Sequence, residues 1–283
     1  MAKKQINAKN EPQPARARGR PRAFYESAEA NHVRALDRAL HVLSLLSEGN
    51  GMTLTELAAI SGESTSTVYR ALLTMQKHNM VEYIETGQLW YVGVGAFRIG
   101  NAFLRRTSIV ERSRPVMQAV MAETGETANL AVIEQMDVVF VSQVESHQPI
   151  RAFFRPGTRG PAHASGIGKA LLAFMPEARI EALLKARDLA SFTARTLVDP
   201  EALRSDLRAI RARGWSIDDE ERTEGMRCIA APIFNAAGEA IAGISLSGPS
   251  VRVTAARDDD YGKRIARAAA EVTEAIGGKK PAL

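Results

Sequence analysis

The sequence predicts an α+β protein with two folded parts: a small helical unit closed by a β-hairpin, and a larger unit that layers helices on an antiparallel sheet. Three observations predict it. Residues 53–77 read as two short helices broken at Ser61-Gly62. Residues 81–93 alternate in period two around Thr86-Gly87. From about Pro115 onward, helical and extended segments alternate to the C-terminus. With 283 residues and 45% hydrophobic content the chain supports two cores.

The N-terminal arm holds the charge. Residues 1–22 carry Lys3, Lys4, Lys9, Arg16, Arg18, Arg20 and Arg22 against Glu11, a net of +6 where the whole chain has +5, so the remainder sums to −1. The Pro-rich arm, residues 1–30, has too few apolar residues to fold alone and is expected to be disordered. Within it, Arg18-Gly19-Arg20-Pro21-Arg22 resembles the core of an AT-hook, whose arginines, here Arg18 and Arg20, fit a narrow A·T-rich minor groove. A flexible tail that attracts phosphate without regard to sequence is the other reading.

Residues 31–93 form the small unit. Leu36, Leu40, Leu43 and Leu46 sit at helical spacing and supply a first helix. Thr53 and Glu56 have the spacing of a capping box, and Leu54, Leu57, Ala58 and Ile60 give the second helix a stripe to bury. After Gly62, Ser64 or Thr65 caps a third helix that turns Val68, Ala71, Leu72 and Met75 inward. Ser66, Thr67, Arg70, Thr74 and Lys77 face out, and with Thr65 and Tyr69 they are the candidate DNA contacts. Small hydroxyls let a backbone approach the major groove, and an arginine forks onto guanine or phosphate. A solvated bundle helix shows the same pattern. The hairpin directly behind favours a winged helix-turn-helix.

Residues 94–112, with Phe97, Gly100, Phe103 and Leu104 at roughly helical spacing, read as a linker helix whose apolar side is available to a second subunit. The second unit spans 113–278. It opens with a helix over 116–123 ending at Gly125, followed by a hairpin of 128–133 and 138–144. Helices over 171–175, 179–186 and 201–213 come next, the last stopped by Gly214. A hairpin of 229–234 and 240–247 turns on Asn235-Ala-Ala-Gly238, and a helix over 257–276 closes the chain.

No apolar run spans a bilayer and the basic N-terminus is not a signal peptide, so a cytoplasmic protein without membrane partner is expected. The single cysteine, Cys228, makes no internal disulfide. No Cys/His cluster has zinc spacing, and no metal or cofactor is expected. Ser165-Gly166-Ile167-Gly168-Lys169 opens a helix, and the first-turn amides of Gly166 and Ile167 suit an anion such as a carboxylate. A cap with no ligand has the same sequence. A phosphate loop is excluded, because Ala170 follows Lys169 where magnesium would need Ser or Thr, and His163 replaces the first glycine.

Together with the helix-turn-helix, four segments carry a family resemblance: His163-Ala-Ser-Gly-Ile-Gly-Lys-Ala170, Arg213-Gly-Trp-Ser-Ile-Asp-Asp-Glu-Glu221, Gly225-Met-Arg-Cys-Ile-Ala-Ala-Pro232 and Ile244-Ser-Leu-Ser-Gly-Pro249. On these the chain resembles the IclR family of bacterial transcriptional regulators over essentially everything after the arm. The resemblance implies a winged DNA-binding domain, a linker helix and a GAF-like effector domain, working as a homodimer or homotetramer on a near-palindromic double-stranded operator. In members that sense small 2-oxo acids, the matching effector-binding positions are Gly166, Ile167, Asp218 and Cys228, with Met226 and Ala152 on the apolar side. An ionised Asp218 repels a carboxylate beside it. It is therefore expected to accept a hydrogen bond from a hydroxyl or aldehyde hydrate at the effector's other end, which favours a compact acid such as glyoxylate. Ala152 and Gly160 are small and leave room. Phe153 and Phe154 either fill that room or belong to the core, and a larger aromatic acid remains open.

Cys228 reads either as a weak donor on the effector or as a small buried hydrophobe. An enzyme using Cys228 as nucleophile, His163 or His147 as base and Asp218 as orienter is the rival from another class. Nothing else in the sequence activates the thiol, so no enzyme is expected. A DNA-bending architectural protein relying on the arm would respond to no small molecule.

Overall fold

A computed structural model of the protein describes residues 33–107, 109–186 and 188–281, and the arm with Arg18 and Arg20 lies outside them. The chain forms two compact units that divide between Gly100 and Asn101. The division falls inside the segment 94–112 expected as a linker.

The first unit contains α1 (Arg34–Glu48), α2 (Leu54–Ser61), α3 (Thr65–Lys77), β1 (Val81–Ile84) and β2 (Leu89–Val92). The capping box forms as the sequence indicates: Thr53 Oγ1 accepts from the Glu56 amide and Glu56 accepts in return from the Thr53 amide at 2.8 Å. Gly62, at φ 70°, ends α2 in the left-handed region, which a residue without Cβ enters freely. Its core is Val42, Leu46, Leu57, Val68, Leu72, Met75, Val81 and Trp90. The expected stripe of α1 is corrected by this packing. Leu36 and Leu40 are 57% and 55% exposed, Ile60 of α2 is exposed as well, and Val42 with Leu46 faces inward. Backbone pairing of Met52 with Trp90 ties the hairpin to the start of α2.

α4 (Val94–Thr107) and α5 (Ile109–Thr124) follow. The sequence suggests a helix beginning at residue 116, but α5 starts seven residues earlier and keeps Pro115 inside it. Its remaining strands and helices are β3 (Thr127–Glu134), β4 (Asp137–Val144), β5 (Arg159–Pro161), α6 (Gly166–Leu172), α7 (Glu177–Ala186), α8 (Pro200–Arg213), β6 (Ser216–Asp219), β7 (Met226–Phe234), β8 (Ala240–Pro249) and α9 (Asp258–Ala275). The six strands make one antiparallel sheet in the order β5-β4-β3-β8-β7-β6. One face packs Leu130, Ile229, Ala231, Ile244 and Leu246 against α5 and α9. The other packs Ala131, Val138, Phe140 and Ala230 against α6 and α8. Strand side chains alternate faces, so a bulge in β4 matters: Leu130 pairs with Ser142 but Ala131 with Phe140, which turns Phe140 and Val138 to the α6 side. Among the described residues no helix is long and apolar enough to cross a membrane.

Candidate functional site

In the first unit α3 presents its outer face. Thr65, Ser66, Tyr69, Arg70, Thr74 and Lys77 are exposed and Thr67 is half-buried. Ser64, not Thr65, is the N-cap, and its oxygen engages the Ser66 hydroxyl at 3.1 Å and the Thr67 hydroxyl at 2.9 Å. The Thr74 hydroxyl donates to the Arg70 carbonyl. The hydroxyls at the helix start are therefore part of its cap. Arg70 and Lys77, without ion-pair partners among the described residues, are the cations that face presents. The β1–β2 wing carries Glu82 and Glu85 and no Lys or Arg, so it adds no phosphate attraction.

In the second unit a cavity of about 270 Å³ opens between the sheet and the start of α6. Its floor follows from register. Asp218 of β6 pairs with Cys228 of β7, and Cys228 with Ser247 of β8, placing the three side chains in one row. Two residues along, Ala230 pairs with Ser245, and Asn129 of β3 donates to the hydroxyls of both Ser245 and Ser247. Gly166 of α6 closes on this row so tightly that a Cβ there would lie 2.7 Å from Cys228 Sγ. Ser165 caps α6 by accepting from the Gly168 amide, which leaves the earlier amides of Gly166 and Ile167 at the cavity end of the helix. Phe154 lies flat on Phe140, ring centroids 4.4 Å apart, and with Val138, Gly160 and Met226 gives the apolar wall.

Gly166, Ile167, Asp218, Cys228 and Met226 thus come together as the sequence suggests. Ala152 does not: it is buried outside the cavity, its carbonyl accepting from the Thr127 hydroxyl, and Phe154 occupies the apolar side instead. Phe153 is 53% exposed. Ser245, Ser247 and Phe140 were not singled out by sequence reasoning. Alternation along 244–249 carried the signal for the serines, whereas Phe140 reaches the cavity only through the bulge.

Charge in the site is unusual. Burial, then the neighbouring Glu221 carboxylate, pushes Asp218 up to about 7, although the Glu221 amide donates to its Oδ1 at 2.8 Å. Burial, then Asp218, pushes the Cys228 thiol up to about 11. Lys169 of α6, an expected helix residue with no assigned role, is fully buried with Nζ 2.8 Å from Asp206 Oδ2 and 2.5 Å from Glu221 Oε1. Burial draws its pKa down, but Glu221 and Asp206 outweigh it. A thiol raised this far is mostly protonated at neutral pH and is a poor nucleophile. His163 Nε2 is engaged with the Ala190 carbonyl at 2.9 Å. The geometry therefore opposes a Cys-His nucleophile pair.

Comparison with known proteins agrees with both units. Residues 35–85 match the model of the IclR helix-turn-helix domain, and residues 101–274 match that of the bacterial transcriptional regulator IclR C-terminal domain. The chain is 48% identical over 270 residues to the HTH-type transcriptional regulator BhcR of Paracoccus denitrificans, covering 94% of this chain and 97% of that protein. It is 39% identical over 272 residues to the acetate operon repressor of Salmonella typhimurium, covering 95% and 99%. The crystal structure of the Thermotoga maritima IclR superposes with a TM-score of 0.70 at 27% identity, covering 87% of this chain and all of that one. These relatives are regulators and not enzymes. The protein belongs to the IclR family of DNA-binding bacterial transcriptional regulators.

Proposed function

We propose that the cavity at the start of α6 binds a small carboxylate effector, a 2-oxo acid of glyoxylate size, and that its occupancy changes the affinity of α3 for a double-stranded operator in the cytoplasm. The observation that carries this reading is the convergence of the Gly166 and Ile167 amides on a row of Asp218, Cys228 and Ser247. First-turn amides of a helix stabilise an anion, here the Ile167 amide together with that of Gly166, which also bonds the Cys228 sulfur. The hydroxyls of Ser245 and Ser247 and the carboxyl of Asp218 supply directional partners for the oxo or hydrate oxygens at the other end. The acetate operon repressor's name, which places that relative over the metabolism of a two-carbon acid, supports the same class of ligand.

The 270 Å³ volume exceeds what glyoxylate alone fills, and the Phe140–Phe154 stack would welcome an aromatic acid. That is the second reading. On the DNA side, Arg70 and Lys77 hold base edges or phosphates while Thr65, Ser66, Thr67, Tyr69 and Thr74 set the distance of approach. As a homodimer or homotetramer the protein places two such helices on two half-sites. Effector binding must favour one arrangement of the subunits, and a coupling of about 1–3 kcal/mol, roughly 5- to 150-fold in operator affinity, is typical.

A gel-shift titration on the DNA upstream of the protein's own coding region, with and without millimolar glyoxylate, pyruvate or an aromatic acid, tests the reading. A specific complex altered by glyoxylate supports it. A specific complex altered only by the aromatic acid selects the second reading, and one indifferent to all three refutes the effector assignment.

A further inference from the structure

Behind the cavity lies a cluster of charge that effector contacts alone do not explain. Three carboxylates, Asp206 of α8, Asp218 of β6 and Glu221 of the turn after it, surround the single buried ammonium of Lys169. Arg213 Nη2 approaches Asp206 from outside at 3.7 Å. Lys169 and Arg213 thus offset Asp206 and Glu221, and Asp218 is the surplus charge. Two other cations around the cavity are ion-paired elsewhere, Arg227 of β7 to Asp219 and Asp258 and Arg159 of β5 to Glu134 and Asp137, while Arg222 lies over the Phe192 ring at 4.0 Å and makes no ion pair with Asp218. The remaining titratable neighbour, the Cys228 thiol, adds no positive charge. Glu221 is 5% exposed and its Oε2 is buried without a hydrogen-bond partner. Burial holds Glu221 as well as Asp218 above the usual carboxylate range, so the pair calls for a proton, and contact with a cation decides which member carries it: Glu221 touches Lys169, whereas Asp218 has no ion-pair partner among the described residues.

We propose that Glu221, held by Lys169, is a positioning residue that keeps Asp218 in its protonated form, so that the cavity takes an anionic effector together with one proton on Asp218. Placed directly on Nζ, Glu221 is the better-compensated member of the pair, and the shared proton resides on Asp218. A neutral Asp218 still accepts from the backbone amides of Glu221, at Oδ1, and Arg222, and gains one O–H to donate. It no longer repels the effector. It can donate to an oxo oxygen, the reverse of the role expected from its ionised form. The entering carboxylate raises Asp218 further, because a like charge disfavours ionisation. The affinity therefore holds below the free midpoint and falls as pH rises above it, by up to about tenfold per pH unit until the complex itself titrates.

This inference rests on the carboxylate reading of the cavity, so its test separates the two. Carboxyl-labelled aspartate NMR on the full chain without effector, with Asp218→Asn to assign the signal, follows the Asp218 titration. Calorimetry with glyoxylate at pH 6, 7 and 8, in two buffers of different ionisation enthalpy, then follows affinity and proton exchange. The expected result is an Asp218 midpoint near 7, proton uptake on binding above pH 7, and up to about tenfold weaker binding at pH 8 than at pH 7. Glu221→Gln removes the neighbouring charge and moves both midpoints to lower pH. Asp218→Asn, which mimics the neutral acid, gives a flat profile. If Glu221→Gln fails to fold, Lys169→Met with Glu221→Gln removes both buried charges and is expected to show an acid shift of the same direction but smaller, because loss of the Lys169 charge raises Asp218 while loss of the larger Glu221 effect lowers it. An Asp218 midpoint below 5 overturns the proposal whatever glyoxylate does, as does a Glu221→Gln effect of equal size at every pH. Absence of glyoxylate binding at any pH, with Asp218 titrating near 7, supports the proton assignment and refutes the glyoxylate reading.

Discussion

Gly166→Ala should show how tightly α6 is seated on the sheet. The new Cβ would lie 2.7 Å from Cys228 Sγ and 3.4 Å from Ala230 Cβ, so the sulfur must move by most of an ångström. Rotating it away withdraws it from Ser245 and Ser247, whose hydroxyls it engages. Overpacking of this kind costs about 1–3 kcal/mol, and the better helix propensity of Ala returns at most about 1 kcal/mol. A net loss of roughly 1–2 kcal/mol is expected. Cys228→Ala alone deletes one sulfur from a well-packed site and costs about 1 kcal/mol. The double variant has no clash left, so it should be about as stable as Cys228→Ala, with a coupling of at least about 1 kcal/mol. Denaturant unfolding followed by Trp215 fluorescence in a Trp90→Phe background reads the effector unit alone, since the chain has two tryptophans, one in each unit. Additivity within about 0.5 kcal/mol would refute the close approach on which the cavity floor depends. Glyoxylate response should be lost in Gly166→Ala, whose methyl intrudes beside the first-turn amides, while operator affinity without effector is unchanged.

Other outcomes are equally specific. Arg70→Ala should weaken operator binding by about 1–3 kcal/mol in a gel shift without changing effector affinity; retained operator affinity would misplace the recognition face. Thr53→Ala removes the capping box and should cost about 1 kcal/mol in the stability of the first unit, read from Trp90 fluorescence. Deleting residues 1–22 removes a net charge of +6, so operator affinity should drop at low salt and the salt dependence should flatten; unchanged low-salt affinity would rule the arm out of binding. Asp218→Asn should stabilise the effector-free protein increasingly as pH rises from about 4 to 7. The unfolded chain ionises near 3.8 while the folded one stays protonated to about 7, a gap worth about 4 kcal/mol at most, and chemical denaturation at pH 4 and pH 8 measures it.

Much of the fold was legible because short-range signals dominate it. The capping box at Thr53 and Glu56 and the left-handed glycines Gly62, Gly125 and Gly214 mark element ends through the backbone alone, and each ends a helix as expected. The same holds for the hairpins, whose turns at 85–88 and 235–238 carry positive-φ Gly or Gln. What failed is what depends on partners. Leu36 and Leu40 continue a leucine ladder into solvent, because at 3.6 residues per turn they lie well round the helix from the face that Val42 and Leu46 define. The sequence marks Pro115 as a boundary, yet the helix tolerates it where packing of Ile109 on one side and of Val116, Met117 and Val120 on the other holds it. In the site, the row of Asp218, Cys228 and Ser247 depends on register between strands, which the sequence does not print. The Phe140 wall depends on a single bulge.

Lys169 bears on how the proposed small effector would act. Every residue of α6 is buried and the helix packs on both β7 and β8, so force applied at its first turn is not lost to a flexible surface. Its one charged side chain leaves the opposite side for Asp206 on α8 and Glu221 on the turn that also holds Asp218. A buried ion pair is weak evidence for stability, because desolvation consumes most of its Coulombic gain. Breaking one partner away is costly, however, and that is the property a switch requires. Either α6, α8 and the 219–225 turn move together or the lysine loses a partner, a penalty of several kcal/mol that excludes intermediate arrangements. A ligand contacting both α6 and Asp218 therefore acts on elements that Lys169 ties together, and two positions of that unit are what it would bias. A difference in contact energy of about 1–3 kcal/mol between two such positions is sufficient to bias them.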